Sequence, residues 1–165
     1  GRRDYNILSK AINALNKKLQ KKIVLILLSK VKNGDKNPVI QELQKKIQSK
    51  IVYKKNYIKE IEYKKLTSSC HVLLSINKKE YGNQHKGTGS FFDAISSKKR
   101  LITNHRTDRK FEFKNFCYYY SNANQLSKIL NFFLSNNDKF RPLNRNLFAK
   151  YNNIQAKNKL IKLLC

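Results

Sequence analysis

Acidic side chains are scarce in this sequence: ten Asp and Glu stand against 36 Lys and Arg in 165 residues, a net charge of +26. An excess of that size repels itself over a small surface, so it fits a protein lying against a dense polyanion, with nucleic acid the first candidate. Methionine is absent, even from position 1, and the chain is therefore expected to be less than a complete translation product. Long apolar runs are missing too. The longest, Ile23 to Leu28, falls far short of the roughly 20 residues of a bilayer-spanning helix. Cys70, Cys117 and Cys165 have no CxxC spacing, which excludes a disulfide framework and a self-contained zinc site and indicates a reducing compartment.

Glycine, proline, alanine and arginine are few (5, 2, 6 and 7), whereas Lys, Asn and Ile number 29, 20 and 15. The abundant residues have A- and T-rich codons, so the gene is expected to be strongly AT-rich. Codon bias does not explain the missing acids, because Glu also has A-rich codons and yet occurs only five times. Selection for positive charge is the better account.

The hydrophobic pattern predicts a single basic α+β domain over residues 1–165, a small antiparallel sheet flanked by N- and C-terminal helices, with a long basic loop at about 78–110. Ile7, Leu8, Ala11, Ile12, Leu15 and Leu19 recur at helical spacing, and Ile23–Leu28 is expected to continue that helix. Gly34 then serves as a stop, and Asn37 and Pro38 open a second helix carrying Val39, Ile40, Leu43 and Ile47. Alternation over Tyr57–Tyr63 and Cys70–Ile76 predicts a hairpin turning near Leu66–Ser69, with a third strand drawn from Lys110–Tyr120. Ser90 reads as the cap of a short helix starting at Phe91. Leu126, Ile129, Leu130 and Phe133 predict another helix, and Leu147–Leu164 a last one.

Groups for catalysis or metal binding are thin. Glu60 with Glu62, or Asp93 with Asp108 and Glu112, are the carboxylates a two-metal nuclease would need. Glu60 and Glu62 lie among Lys54, Lys55, Lys64 and Lys65, however, and read as offsetting local repulsion. His71, His85 and His105 lack zinc-ligand spacing, and Cys117 reads as a small buried thiol. No catalytic residue, cofactor or metal is expected. The Gly82–Gly89 loop lacks both GxxxxGK[ST] and GxGxxG, which argues against a nucleotide loop and for a basic loop whose amides and Lys86 approach phosphates.

Basic clusters carry the functional reading. The expected RNA-binding residues are Lys17, Lys18, Lys21 and Lys22 on the first helix, then Lys78, Lys79, Lys86, Lys98, Lys99, Arg100, His105, Arg106, Arg109 and Lys110 along the long loop, and finally Arg141 and Arg145. Arg100, Arg106 and Arg109 weigh most, since a planar guanidinium contacts phosphate with two parallel bonds. Among Phe116, Tyr118, Tyr119 and Tyr120, half are expected to stack on unpaired bases and half to pack in the core.

In small size, Lys/Asn/Ile-rich composition, positive charge along the whole length and an extended loop such as Lys78–Lys110, the chain resembles organelle-encoded ribosomal proteins of AT-rich mitochondrial genomes. That resemblance implies a structural rRNA-binding component of a mitochondrial ribosome, located in the matrix, with ribosomal RNA and neighbouring ribosomal proteins as partners and no catalytic role. Two alternatives stand beside it. One is a nucleic-acid-processing enzyme, a nuclease or maturase fragment; the other is a basic accessory subunit of an organellar protein or membrane complex that touches anionic lipid through its first helix.

Overall fold

Ile23–Leu28 is not the continuation of a helix. The computed structural model describes residues 3–78, 89–108 and 113–135, and within them Val24–Lys30 is a strand, β1. The cause is local. Helix α1 (Tyr5–Asn13) is capped by Asp4, whose side chain accepts from the Ile7 N–H at 3.0 Å. A second, short helix α2 (Lys17–Lys22) restarts at Asn16, which accepts from the Leu19 N–H at 2.9 Å, and the backbone is already extended at Ile23 (φ −80°, ψ 130°). The apolar run is thus entered in the β region.

Gly34 is left-handed (φ +52°) and opens a 3-10 turn, Gly34–Lys36, between β1 and α3 rather than ending a helix. Asn37 then accepts from the Val39 N–H at 3.0 Å and Pro38 takes the first position of α3 (Pro38–Lys46), as the sequence predicts. β2 (Lys50–Lys54) returns parallel to β1, pairing Val24 with Lys50 through Leu27 with Tyr53.

The expected antiparallel hairpin does not form. Its first arm is helix α4 (Glu60–Ser69): Glu60 and Glu62 sit in the first turn, where negative charge favours a helix, and Glu60 pairs with Lys64 one turn on at 2.6 Å. The alternation that suggested a strand is overridden by these local interactions. β3 (Val72–Ser75), α5 (Ser90–Ser96), β4 (Arg100–Asn104), β5 (Cys117–Tyr120) and α6 (Ala123–Ser135) follow. Strands β3, β4 and β5 form a parallel sheet in that order, with Val72 opposite Arg100 and Leu101 opposite Cys117. Every sheet among the described residues is parallel, so the architecture is α/β with helical crossovers, not α+β around an antiparallel sheet.

The strand that decides this, β4, lies inside the segment expected as a long basic loop. Leu101, Ile102, Thr103 and Asn104 are all buried, because a central parallel strand is covered on both faces and shows no apolar/polar alternation. Ser90 belongs to α5 itself, behind Gly89, and bonds Ser75 Oγ at 3.2 Å instead of capping the helix. The expected terminal helix over 147–164 lies outside the described residues.

Helices cover both faces. Leu8 and Ile12 of α1, Leu43 of α3 and Leu126 and Phe133 of α6 pack in one cluster with Ile102 and Tyr120. Phe91 and Ala94 of α5 pack on the other face with Leu73, Leu101 and Cys117. α4 lies on that second face, since Tyr63 donates to Asp93 of α5 at 2.7 Å. β1 and β2 form a two-stranded parallel sheet of their own, and among the described residues no strand ladder joins it to β3-β4-β5.

Candidate functional site

Within each parallel sheet all strands start at one edge and end at the other, and this divides the expected basic residues into those that precede strand starts and those that follow strand ends. At the strand starts, Lys21 and Lys22 run into β1, Lys45 and Lys46 close α3 just before Lys50 opens β2, and Lys98, Lys99 and Arg100 run into β4. The α2 lysines Lys17, Lys18, Lys21 and Lys22 are all exposed. Lys98 is left-handed (φ 54°): its N–H donates to the Ile95 carbonyl at 3.1 Å and the Lys99 N–H to the Ala94 carbonyl at 2.9 Å, the paired bonds that end a helix at such a residue. This turn delivers Arg100, whose guanidinium lies 5.5 Å from the centre of the Tyr118 ring on the next strand.

At the carboxyl edge, Lys78 follows β3, His105 and Arg106 form the 3-10 turn His105–Thr107 after β4, and Ser121 follows β5. Short polar side chains hold these ends. Asn104 accepts from the Arg106 N–H at 3.0 Å, and Ser121 Oγ lies 3.0 Å from His105 Nδ1. Asn77 donates to Ser75 Oγ at 3.2 Å and accepts from the Arg3 guanidinium at 3.4 Å, while Tyr120 donates its hydroxyl to the Ser75 carbonyl at 3.0 Å. Arg3, Lys78, His105 and Arg106 therefore come from three distant stretches of sequence.

Of the expected RNA-binding set, Lys21, Lys22, Lys98, Lys99 and Arg100 lie at strand starts, Lys17 and Lys18 open α2, and Lys78, His105 and Arg106 follow strand ends. Lys79, Lys86, Arg109, Lys110, Arg141 and Arg145 fall outside the described residues. Sequence reasoning missed Arg3, Asn77, Asn104 and Ser121. The available signal was Asn104-His105 directly after the apolar run Leu101–Thr103, the end of a buried strand.

Between β1 and β3 lies a cavity of about 770 Å³, lined by Val24–Leu28 on one side and Val72–Leu74 on the other. Apolar residues of α1 and α6 roof it, and its polar lining includes Arg3, Tyr5, Tyr63, Ser90 and Asp93 as well as Lys22, Ser69 and His71. Burial first, and then the hydrogen bond to Asp93, raise the Tyr63 pKa, so this phenol stays a neutral donor across the physiological range.

The remaining titratable groups are structural. Glu62 pairs with Lys54 at 2.7 Å. Asp108 is buried and accepts from the Phe113 N–H at 3.0 Å and from the Tyr119 hydroxyl, closing the segment that leads into β5. Burial pushes the Cys117 thiol up to about 12 and raises Cys70 as well, which makes both poor nucleophiles. Among the described residues no three His, Cys, Asp or Glu side chains group to hold a metal, and no helix is long and apolar enough to cross a membrane. No protein-family model, curated protein or solved structure matches the chain.

Proposed function

We propose that this chain is a ligand-binding α/β domain that takes a phosphate-bearing small molecule at the carboxyl edge of its three-stranded parallel sheet. The observation that carries the reading is the placement of Arg3, Lys78, His105 and Arg106 at the ends of the neighbouring strands β3 and β4, beside Asn77, Asn104 and Ser121. In open α/β sheets, ligands bind outside the carboxyl ends of the strands. Guanidinium and ammonium groups suit phosphate oxygens, and in this reading the residues named here bind and orient the ligand. Isothermal titration with pyrophosphate tests this. Arg106→Ala and Lys78→Ala should each weaken binding roughly 10-fold or more, the loss of one charge-assisted hydrogen bond. Absence of binding at millimolar pyrophosphate, or binding indifferent to both changes, overturns the proposal.

The basic residues at strand starts favour a second reading. These lysines, with a net charge of +26, suit an RNA backbone, which is the role of a structural rRNA-binding component of a mitochondrial ribosome in contact with neighbouring ribosomal proteins. In that case RNA affinity should fall steeply with salt, each neutralised phosphate adding about 0.7–0.9 to the log-log slope. Changing Lys21, Lys22 and Arg100 together to Ala should flatten the slope without touching pyrophosphate binding. A slope near zero removes this reading.

A further inference from the structure

Apart from Arg3, the residues that line the cavity between β1 and β3 take no part in the phosphate contacts at the carboxyl edge. We propose that this cavity takes a planar heteroaromatic ring, so that the phosphate-bearing ligand is of the nucleotide class. The inference rests on the carboxyl-edge reading for the phosphate and on independent observations for the ring.

The volume, about 770 Å³, is that of a small-molecule site. The cavity opens to solvent and is lined by aliphatic strand residues together with polar groups, so a ligand entering it exchanges water for apolar contact along the strand walls. Its two long walls are strand edges. β1 is hydrogen-bonded in a ladder to β2 and β3 to β4, and neither ladder joins β1 to β3. Backbone N–H and C=O groups on the facing edges therefore need partners. A hydrocarbon chain fills the space but leaves those groups unpaired. An extended peptide would pair with both edges, but the carboxyl end of β3 is already taken: the Asp4 N–H donates to the Ile76 carbonyl at 2.7 Å, and Arg3 bridges Asn77 in antiparallel fashion. A flat ring with donors and acceptors around its rim meets both demands. Its rim faces the two strand edges, and its faces meet Leu8, Ile12 and Phe133 on one side and Tyr63 on the other.

Arg3 joins the two halves of the site. It lines the cavity and also donates to Asn77 at the carboxyl edge. A ring in the cavity thus places its phosphate at the ends of β3 and β4, beside Arg3, Lys78 and Arg106.

The test is calorimetry on the full chain with three probes: pyrophosphate, a phosphate-free nucleoside (adenosine, uridine, guanosine and cytidine in turn) and the matching nucleoside diphosphates. At least one diphosphate should bind 10-fold or more tightly than pyrophosphate. Ile26→Trp, which fills the cavity from β1, should bring that diphosphate down to the affinity of pyrophosphate, while Ile61→Trp, at an exposed position outside the cavity, leaves it unchanged. Pyrophosphate bound as tightly as every diphosphate overturns the ring site and leaves the carboxyl-edge reading intact. A nucleoside that binds while pyrophosphate does not overturns the carboxyl-edge reading and leaves the ring site. Should Ile26→Trp fail to fold, amide hydrogen exchange of the unaltered chain decides. Val24, Ile26, Val72 and Leu74, whose amides face away from the β1–β2 and β3–β4 ladders, should gain at least 10-fold protection when the diphosphate is added. Full protection without ligand would mean that β1 and β3 pair directly, and would overturn the inference.

Discussion

Ile102→Ala probes the parallel architecture at its centre. Ile102 is fully buried in the middle strand of β3-β4-β5 and packs with Leu8 and Ile12 of α1 and with Tyr120, Leu126 and Phe133. Ile102 is flanked by two strands and roofed by two helices, and it also borders the cavity between β1 and β3, so its truncation should cost about 2–5 kcal/mol. Against a total stability of roughly 5–15 kcal/mol, that is a large fraction. With a urea m-value of about 2 kcal/mol/M, the unfolding midpoint should fall by roughly 1–2.5 M at unchanged m. Ile61→Ala, at a residue 73% exposed, is the matched control and should stay within about 0.5 kcal/mol. If residues 78–110 were a surface loop, the two variants would behave alike. A midpoint shift at Ile102 no larger than that at Ile61 would refute the buried parallel strand.

Three further outcomes follow from particular groups. Lys98→Gly should stabilise the protein by about 1 kcal/mol in urea unfolding, because the left-handed turn after α5 then carries no side-chain conflict; a loss of stability would contradict that geometry. Cys117, with its thiol pushed up to about 12, should react with iodoacetamide at pH 8 roughly a thousand-fold more slowly than an ordinary thiol, and its peptide should label fully only in denaturant; rapid native labelling would contradict its burial. Burial raises Tyr63, Tyr119 and Tyr120, with a hydrogen bond to an Asp adding to the rise at Tyr63 and Tyr119. Their contribution to stability is complete below the unfolded tyrosine value near 10 and is lost as pH rises beyond it, so the urea midpoint should fall from pH 10 to 11, and a flat profile would argue against buried neutral phenols.

Sequence patterning served best where the signal was local. Asn37 and Pro38 start α3, the Leu126–Phe133 stripe marks α6, and Val72–Ser75 and Cys117–Tyr120 are strands within the segments that alternate. It failed where tertiary context outweighs period. Ile23–Leu28 and Leu101–Thr103 are continuous apolar runs, which a doubly covered parallel strand shares with a buried helix turn. Tyr57–Tyr63 alternates by accident, and the charges of Glu60, Glu62 and Lys64 favour helix α4. The expectation of an antiparallel sheet grew from those errors together, since removing two strands and adding a false one leaves only hairpin-like neighbours. The site was half legible. Lysine and arginine clusters were visible, but their division between strand starts and strand ends depends on strand direction, which composition does not encode.

Amide chemical-shift mapping of the isotopically labelled chain during titration with pyrophosphate tests the central claim most directly. Binding at the carboxyl edge predicts shifts concentrated at Asn77, Lys78, Asn104–Thr107 and Ser121, with Lys17–Lys22 and Lys98–Arg100 left unmoved. Shifts confined to the strand-start group, or none at millimolar ligand, would contradict it.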